Sequence, residues 1–153
     1  IKSSAASDVY KRQVDALLFY YDNLAEIQHI DLSLQFQIPE PFSMTDVELC
    51  TLLGNLLENA VEACLRMPPE ATKRIRLKTA CKPAFWYMVI ENTYDGTFRA
   101  DGNLPKTTKS DARYHGYGLK SIYDTAEKYG GTAEITTQEN QFTLKVLFPI
   151  KQK

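Results

Sequence analysis

Asn55 and Asn59 stand one helical turn apart within the run Leu49 to Cys64. At helical spacing Leu49, Leu52, Leu53, Leu56, Leu57, Ala60, Ala63 and Cys64 share a broad apolar side, and Thr51, Asn55, Glu58, Asn59 and Glu62 share the opposite stripe. A solvated face is the ordinary meaning of such a stripe. Solvated faces favour Lys, Glu and Gln, however, whereas Asn weakens a helix because its amide competes for backbone groups. Two amides one turn apart, beside Gly54, therefore suggest groups aimed at something specific. An Asn carbonyl oxygen is a neutral hard donor of the kind that Mg²⁺ accepts beside phosphate and water oxygens.

A second constellation is His115-Gly116-Tyr117-Gly118-Leu119. Glycines let backbone approach a ligand closely, and a helix beginning there offers unpaired N–H groups to an anion such as a phosphate chain. Taken alone, a flexible turn leading into a helix is the favoured meaning. The run is not a P-loop, since G-x-x-x-x-G-K-[ST] is absent, and it lacks the strand that directly precedes a Rossmann fingerprint. Lys106, Thr107, Thr108, Lys109 and Arg113 precede this turn. Solvated loop charge is their common meaning, but a loop folding over a triphosphate would need mobile cations there.

The surrounding periods say what must position these groups. Residues 1–13 read as a loose terminus, and the domain as 14–153. Val14, Leu17, Leu18, Tyr21, Leu24, Ala25 and Gln28 predict a helix to about His29. Leu32, Leu34, Phe36 and Ile38 alternate as in a strand, ended by Pro39 and Pro41. Ser43 and Asp46 are N-cap candidates for a second helix, roughly Asp46 to Arg66, closed by Met67-Pro68-Pro69. Ile75 to Thr79 and Phe85 to Ile90 read as a hairpin turning near Lys82-Pro83. Thr93 to His115 shows no period and reads as a functional or mobile loop. A third helix from Gly118 stops at Gly130-Gly131, and strands near Thr132 to Thr137 and Phe142 to Phe148 form a second hairpin. This order predicts an α/β two-layer sandwich, with three helices on one face of a mixed, mostly antiparallel sheet of about five strands.

Composition narrows the function. At 153 residues, 44% hydrophobic and 24% charged, the chain is long and apolar enough to bury a single core. Its 18 Lys and Arg against 19 Asp and Glu leave no basic excess for nucleic acid. No run approaches the roughly 18 apolar residues of a membrane span. Three cysteines without a C-x-x-C pair suit buried reduced thiols better than disulfides or zinc.

Together the two constellations resemble the GHKL ATP-binding superfamily. Leu53-Gly54-Asn55-Leu56-Leu57-Glu58-Asn59-Ala60 is similar to the N-box of its sensor histidine kinases, and His115-Gly116-Tyr117-Gly118-Leu119-Lys120-Ser121-Ile122 to their G2 box. With Thr107-Thr108-Lys109 between them, the motifs resemble the peptide-sensing and LytTR-linked subgroup, and the likeness runs from about Val14 to Ile150. The resemblance implies the Bergerat fold, Mg-ATP as ligand, and transfer of the γ-phosphoryl group to a histidine of a dimerisation domain absent from this chain. It implies Asn59 as the Mg²⁺ ligand, and Asn55 where related ATPases carry a general-base Glu. Glu58 would orient the acceptor imidazole, and Asn55, Asn92, Lys109, His115, Gly116, Tyr117, Gly118 and Leu119 would line the nucleotide site with Asn59.

There are departures from the family pattern. Asn92-Thr93-Tyr94-Asp95-Gly96 stands for the usual Asp-x-Gly-x-Gly of the G1 box. Asn92 can accept from the adenine amino group but carries no charge, and Tyr94 takes the first glycine position. Glu62 stands where many of these kinases place a cation, which shifts that duty to Lys109 and Arg113. The implied partners are the kinase's own dimerisation domain and, indirectly, a response regulator, with no nucleic acid and no membrane contact by this domain. The implied setting is the cytoplasmic part of a membrane-bound kinase. Two alternatives are a stand-alone serine/threonine kinase of the anti-sigma type and a degenerate nucleotide-binding interaction module. The first would be expected to carry a Glu at the Asn55 position and an Asp at the Asn92 position.

Overall fold

In a computed structural model, which describes residues 5–39, 42–97, 99–101, 104–106 and 117–150, two hydrophobic periods meet to form one core. The elements in order are α1 (Ala5–Ile27), β1 (Asp31–Gln35), α2 (Asp46–Leu65), β2 (Arg74–Cys81), β3 (Phe85–Thr93), β4 (Arg99–Asp101), β5 (Leu104–Lys106), α3 (Tyr117–Lys128), β6 (Thr132–Gln138) and β7 (Gln141–Pro149). Five strands form a sheet in the order β1-β2-β3-β7-β6, with β1 parallel to β2 and every other pair antiparallel.

Register follows from alternation. Trp86, Met88, Ile90 and Asn92 of β3 face the same side as Ile75 and Leu77 of β2, and as Phe142, Leu144, Val146 and Phe148 of β7. All of these are buried, while their alternating neighbours are not. A one-residue slip would turn the whole set to solvent, so the pairing is strongly specified. The helices cover this face, with Leu49, Leu52, Leu53, Leu56 and Leu57 of α2 lying against it almost completely buried. Each such side chain contributes roughly 1.5–3 kcal/mol relative to exposure. The sandwich predicted from the periods, with three helices on a mixed five-stranded sheet, is the one observed.

Four details differ from the sequence reading. α1 begins at Ala5, so the stretch taken as a loose terminus is helical from that residue. Ala5, Ala6, Lys11, Arg12 and Gln13 are good helix formers, and once packing from Val14 onward has nucleated the helix its extension costs little. β1 ends at Gln35; beyond it Phe36 and Phe42 meet Trp86 edge-on, while Trp86 Nε1 donates to Gln37 O at 2.9 Å. The segment Thr93 to His115 contains a small hairpin, with Arg99 opposite Lys106, whose strands are too short to show a period. Of the three free cysteines, Cys64 is buried, Cys50 half-buried and Cys81 exposed at the end of β2.

Two helices end in the same way. Gly131 N donates to Ala126 O at 2.7 Å and Gly130 N to Glu127 O at 3.0 Å, with Gly130 at φ +74°. At α1, Ile30 N donates to Ala25 O at 2.8 Å and His29 N to Glu26 O at 3.2 Å, with His29 at φ +58°. Both are Schellman closures, in which a left-handed residue lets two orphan carbonyls be satisfied. Gly131 is also sterically required, because a Cβ there would lie 1.9 Å from Leu147 O of β7. Among the described residues no helix is long and apolar enough to cross a membrane.

Candidate functional site

α2 is the element on which the site is built. Its N-cap is Thr45, between the two residues expected from sequence: Glu48 N donates to Thr45 Oγ1 at 3.1 Å and Thr45 Oγ1 donates to Glu48 Oε1 at 2.9 Å. This Thr-x-x-Glu pairing has the spacing of a capping box, which the sequence reading passed over for its neighbours. From this start the helix turns its leucines to the sheet and leaves Asn55 and Asn59 half-buried and Glu58 exposed on the other side. A Cβ placed on Gly54 would meet nothing within 4 Å, so the helix surface there has room beside it.

α3 reaches this stripe with its first turn. A Cβ placed on Gly118 would lie 3.9 Å from Asn55 Oδ1. A side chain there would be in van der Waals contact with the amide oxygen, and the N-terminal end of a helix, which favours anions, stands beside it. Leu119 follows at once and is buried, anchoring the turn in the core. Tyr117 is the first residue of α3. Lys109, His115 and Gly116, with Thr107, Thr108 and Arg113, lie outside the described residues.

Farther along α2 the helix meets the end of β3. Cys64 Sγ lies 3.6 Å from Thr93 O and 3.7 Å from Thr93 Oγ1, and burial pushes its thiol up from its ordinary range. Cys64 is about two and a half turns beyond Asn55. Next to Thr93, Asn92 is the one buried polar residue among those described, at 2% exposure. Its Nδ2 donates to Thr93 O at 2.9 Å, and its Oδ1 is buried with no hydrogen-bond partner among the described residues. An acceptor left in this state costs about 1–3 kcal/mol, so a ligand that brings a donor to it recovers that cost.

Tyr94 is held just beyond. It is 6% exposed, its ring meets Phe142 edge-on with centroids 5.8 Å apart, and its backbone is not left-handed. Tyr94 N donates to Asn140 O at 2.9 Å and Asn140 Nδ2 donates to Tyr94 O at 3.2 Å. The turn between β6 and β7 thereby pins the segment that follows Asn92, with Gly96 at φ +88° taking the left-handed conformation. Asn140 was not legible as a site residue, since nothing local in sequence links it to a position 46 residues away.

Tyr21 of α1 is the other participant missed. Its hydroxyl donates to Glu58 Oε2 at 2.9 Å, and lies 3.5 Å from Gly54 O. Burial first, and then the Glu58 carboxylate, push the phenol well above its ordinary range, so it remains a donor. A tyrosine on an apolar helix stripe carries one general signal, that its buried hydroxyl needs a partner; the identity of that partner is not in the period.

A family model described as the GHKL domain matches residues 44–149. Among solved structures, a nucleotide-free catalytic domain of the histidine kinase ThkA superposes with a TM-score of 0.69 at 14% identity, covering 91% of this chain and 92% of that one. The Acinetobacter baumannii histidine kinase AdeS gives 0.65 at 14% identity, over 94% of this chain and 66% of that one. The mycobacterial sensor histidine kinase MprB gives 0.56 at 15% identity, over 94% of each chain. At such identities the likeness is one of fold. A search of curated protein sequences finds no significant match.

Proposed function

The chain belongs to the GHKL family, and on that premise we propose that it is the ATP-binding catalytic domain of a sensor histidine kinase of the peptide-sensing kind. It binds Mg-ATP and passes the γ-phosphoryl group to a histidine on a dimerisation domain. The observation that carries this reading is the buried Oδ1 of Asn92, unpartnered among the described residues, with Gly118 beside Asn55 farther back along α2. An exocyclic amino group supplies the donor that Asn92 lacks, and the triphosphate then runs along α2 toward the first turn of α3.

The remaining residues fit such a ligand. Asn59 offers a hard oxygen donor on the same side of α2 as Asn55. Among the described residues no cluster of three His, Cys, Asp or Glu side chains is arranged to hold a metal, so a cation at Asn59 would share its shell with phosphate and water oxygens. Mg²⁺ bound at Asn59 would supply positive charge against the phosphates. Asn55 cannot take a proton from water, so hydrolysis has no general base at this position. An acceptor imidazole needs no such base to attack: its nitrogen lone pair forms the N–P bond as the P–O bond to ADP breaks. Glu58 accepts from the other ring N–H and keeps the imidazole aligned, and that proton then passes to solvent. Positioning and charge neutralisation supply the rest of the rate. Lys109, His115, Gly116 and Tyr117 complete the phosphate side in this reading.

The test is a titration with a non-hydrolysable ATP analogue, with and without Mg²⁺, followed by phosphotransfer. Saturable binding is expected, and Asn59→Ala should abolish its Mg²⁺-dependent part. Labelled ATP should leave this chain unlabelled and place an acid-labile label on a dimerisation domain supplied in trans. No binding at millimolar analogue would leave a degenerate interaction module, and an acid-stable phosphoserine on a partner would indicate the anti-sigma type.

A further inference from the structure

Glu58 is exposed on α2, yet one of its carboxylate oxygens is held from a different helix by a side chain that is itself buried. Tyr21 of α1 is 6% exposed, and its hydroxyl lies 2.9 Å from Glu58 Oε2. The ring is fixed on two counts: it sits in the core with Val14 and Ala25, and Tyr20 packs edge-on against it with centroids 5.1 Å apart. A glutamate in solvent exchanges among many rotamers, and ordering it costs entropy. A donor that cannot move, bonded to a charged acceptor, selects one of them. Among the described residues Oε1 has no hydrogen-bond partner and is left for another donor.

We propose that Tyr21 is a positioning residue for phosphoryl transfer, which holds Glu58 in the rotamer that receives the acceptor imidazole. This rests on the role given to Glu58 under the proposed function. Among the described residues the Tyr21 hydroxyl bonds to Glu58 and lies near Gly54 O, and it bonds to none of the residues assigned to ATP, Asn55, Asn59 and Asn92. Loss of its hydroxyl therefore slows transfer without weakening nucleotide binding. A residue that only stabilised the α1–α2 seam would not produce that split.

The experiment measures ATP affinity and the rate of phosphotransfer at saturating Mg-ATP to a histidine-kinase dimerisation domain supplied in trans. Tyr21→Phe is expected to slow transfer about tenfold and to leave the ATP dissociation constant within about twofold of the parent. Glu58→Gln is expected to slow transfer to a similar degree, and the double variant to be no slower than Glu58→Gln alone, because the two groups act as one unit. Glu58→Asp, which keeps the charge but is one methylene short of Tyr21, is expected to match Tyr21→Phe and serves if the latter is poorly folded. Parental transfer by Tyr21→Phe or Glu58→Asp, or losses that multiply in the double variant, would overturn the inference alone. A parent protein that binds no ATP, or binds it and transfers nothing to histidine, would overturn the proposed function and this inference with it.

Discussion

Lys128 Nζ, at the last turn of α3, lies 2.6 Å from Glu48 Oε2, in the first turn of α2. The Tyr129 hydroxyl donates to the other carboxylate oxygen, which also accepts from Thr45. The cation sits at a helix C-terminus and the carboxylate at a helix N-terminus, so both helix dipoles favour the pair. At the other end of α3, Gly118 stands beside Asn55. The two helices are thus joined at one end by charge and meet at the other around the candidate phosphate site.

This junction makes stability depend on acidity. The hydrogen bonds from Lys128 and then Tyr129 lower the Glu48 carboxyl from about 4.5 to about 2. A carboxyl depressed on folding stabilises above its unfolded value and loses that contribution as pH falls toward its folded value. Glu48→Gln should therefore melt below the parent at pH 7, by about 1 kcal/mol given solvent screening. Thermal melts of both proteins between pH 7 and pH 2 should converge below about pH 4.5 and coincide near pH 2. A constant gap across that range would assign the effect to packing.

Gly118→Ala separates folding from binding. The new Cβ has ordinary contact distance to Asn55 Oδ1, 3.9 Å away, and alanine is the better helix former by about 0.5–1 kcal/mol. The variant should melt at or above the parent temperature. Its methyl group occupies the space where a phosphate oxygen would approach, and affinity for ATP should fall about tenfold, or about 1.4 kcal/mol, by calorimetry.

Asn92→Leu should do the same at the base end. It removes the Oδ1 that is unpartnered among the described residues, a gain, and the bond from Nδ2 to Thr93 O, a loss softened by the contact that Thr93 O keeps with Cys64 Sγ at 3.6 Å. The two effects oppose each other. Chemical denaturation should show a change within about 1 kcal/mol of the parent, while ATP binding weakens at least about tenfold. A large loss of stability would mean that the Nδ2 bond dominates.

His29→Gly tests the closure of α1 apart from any ligand. His29 is exposed and left-handed at φ +58°, a conformation that costs a side chain more than it costs glycine. Replacement should stabilise the chain by about 0.5–1 kcal/mol after the loss of unfolded-state entropy is counted. ATP binding should be unchanged. A destabilised variant would show that the imidazole has a role beyond its backbone conformation.

The strand and helix periods were legible because burial on one side leaves a repeat of two or 3.6 in the chain, and Trp86 to Ile90 and Leu49 to Cys64 carry it plainly. The hairpin at Arg99 to Lys106 was not, since strands of three residues hold too few repeats to stand out from a loop. The start of α1 was missed because Ala5 to Gln13 shows no sustained apolar period; their helix depends on propensity and on the packed turns that follow.

For the site, the amino-acid sequence alone determined which groups are available: two amides and a carboxylate on one edge of α2, a glycine at the first turn of α3, and an asparagine where the sheet ends. The amides, the carboxylate and the glycine follow from local spacing, which a helix converts directly into direction; the asparagine entered through the family resemblance alone. Tertiary structure alone decided which of them meet. The order β3-β7-β6 brings the Asn140 turn to the backbone of Tyr94, α1 lays Tyr21 across Glu58, and the described residues packed around Asn92 leave its oxygen without a partner. Such contacts join residues tens of positions apart, and the core packing that selects them is a property of the whole chain.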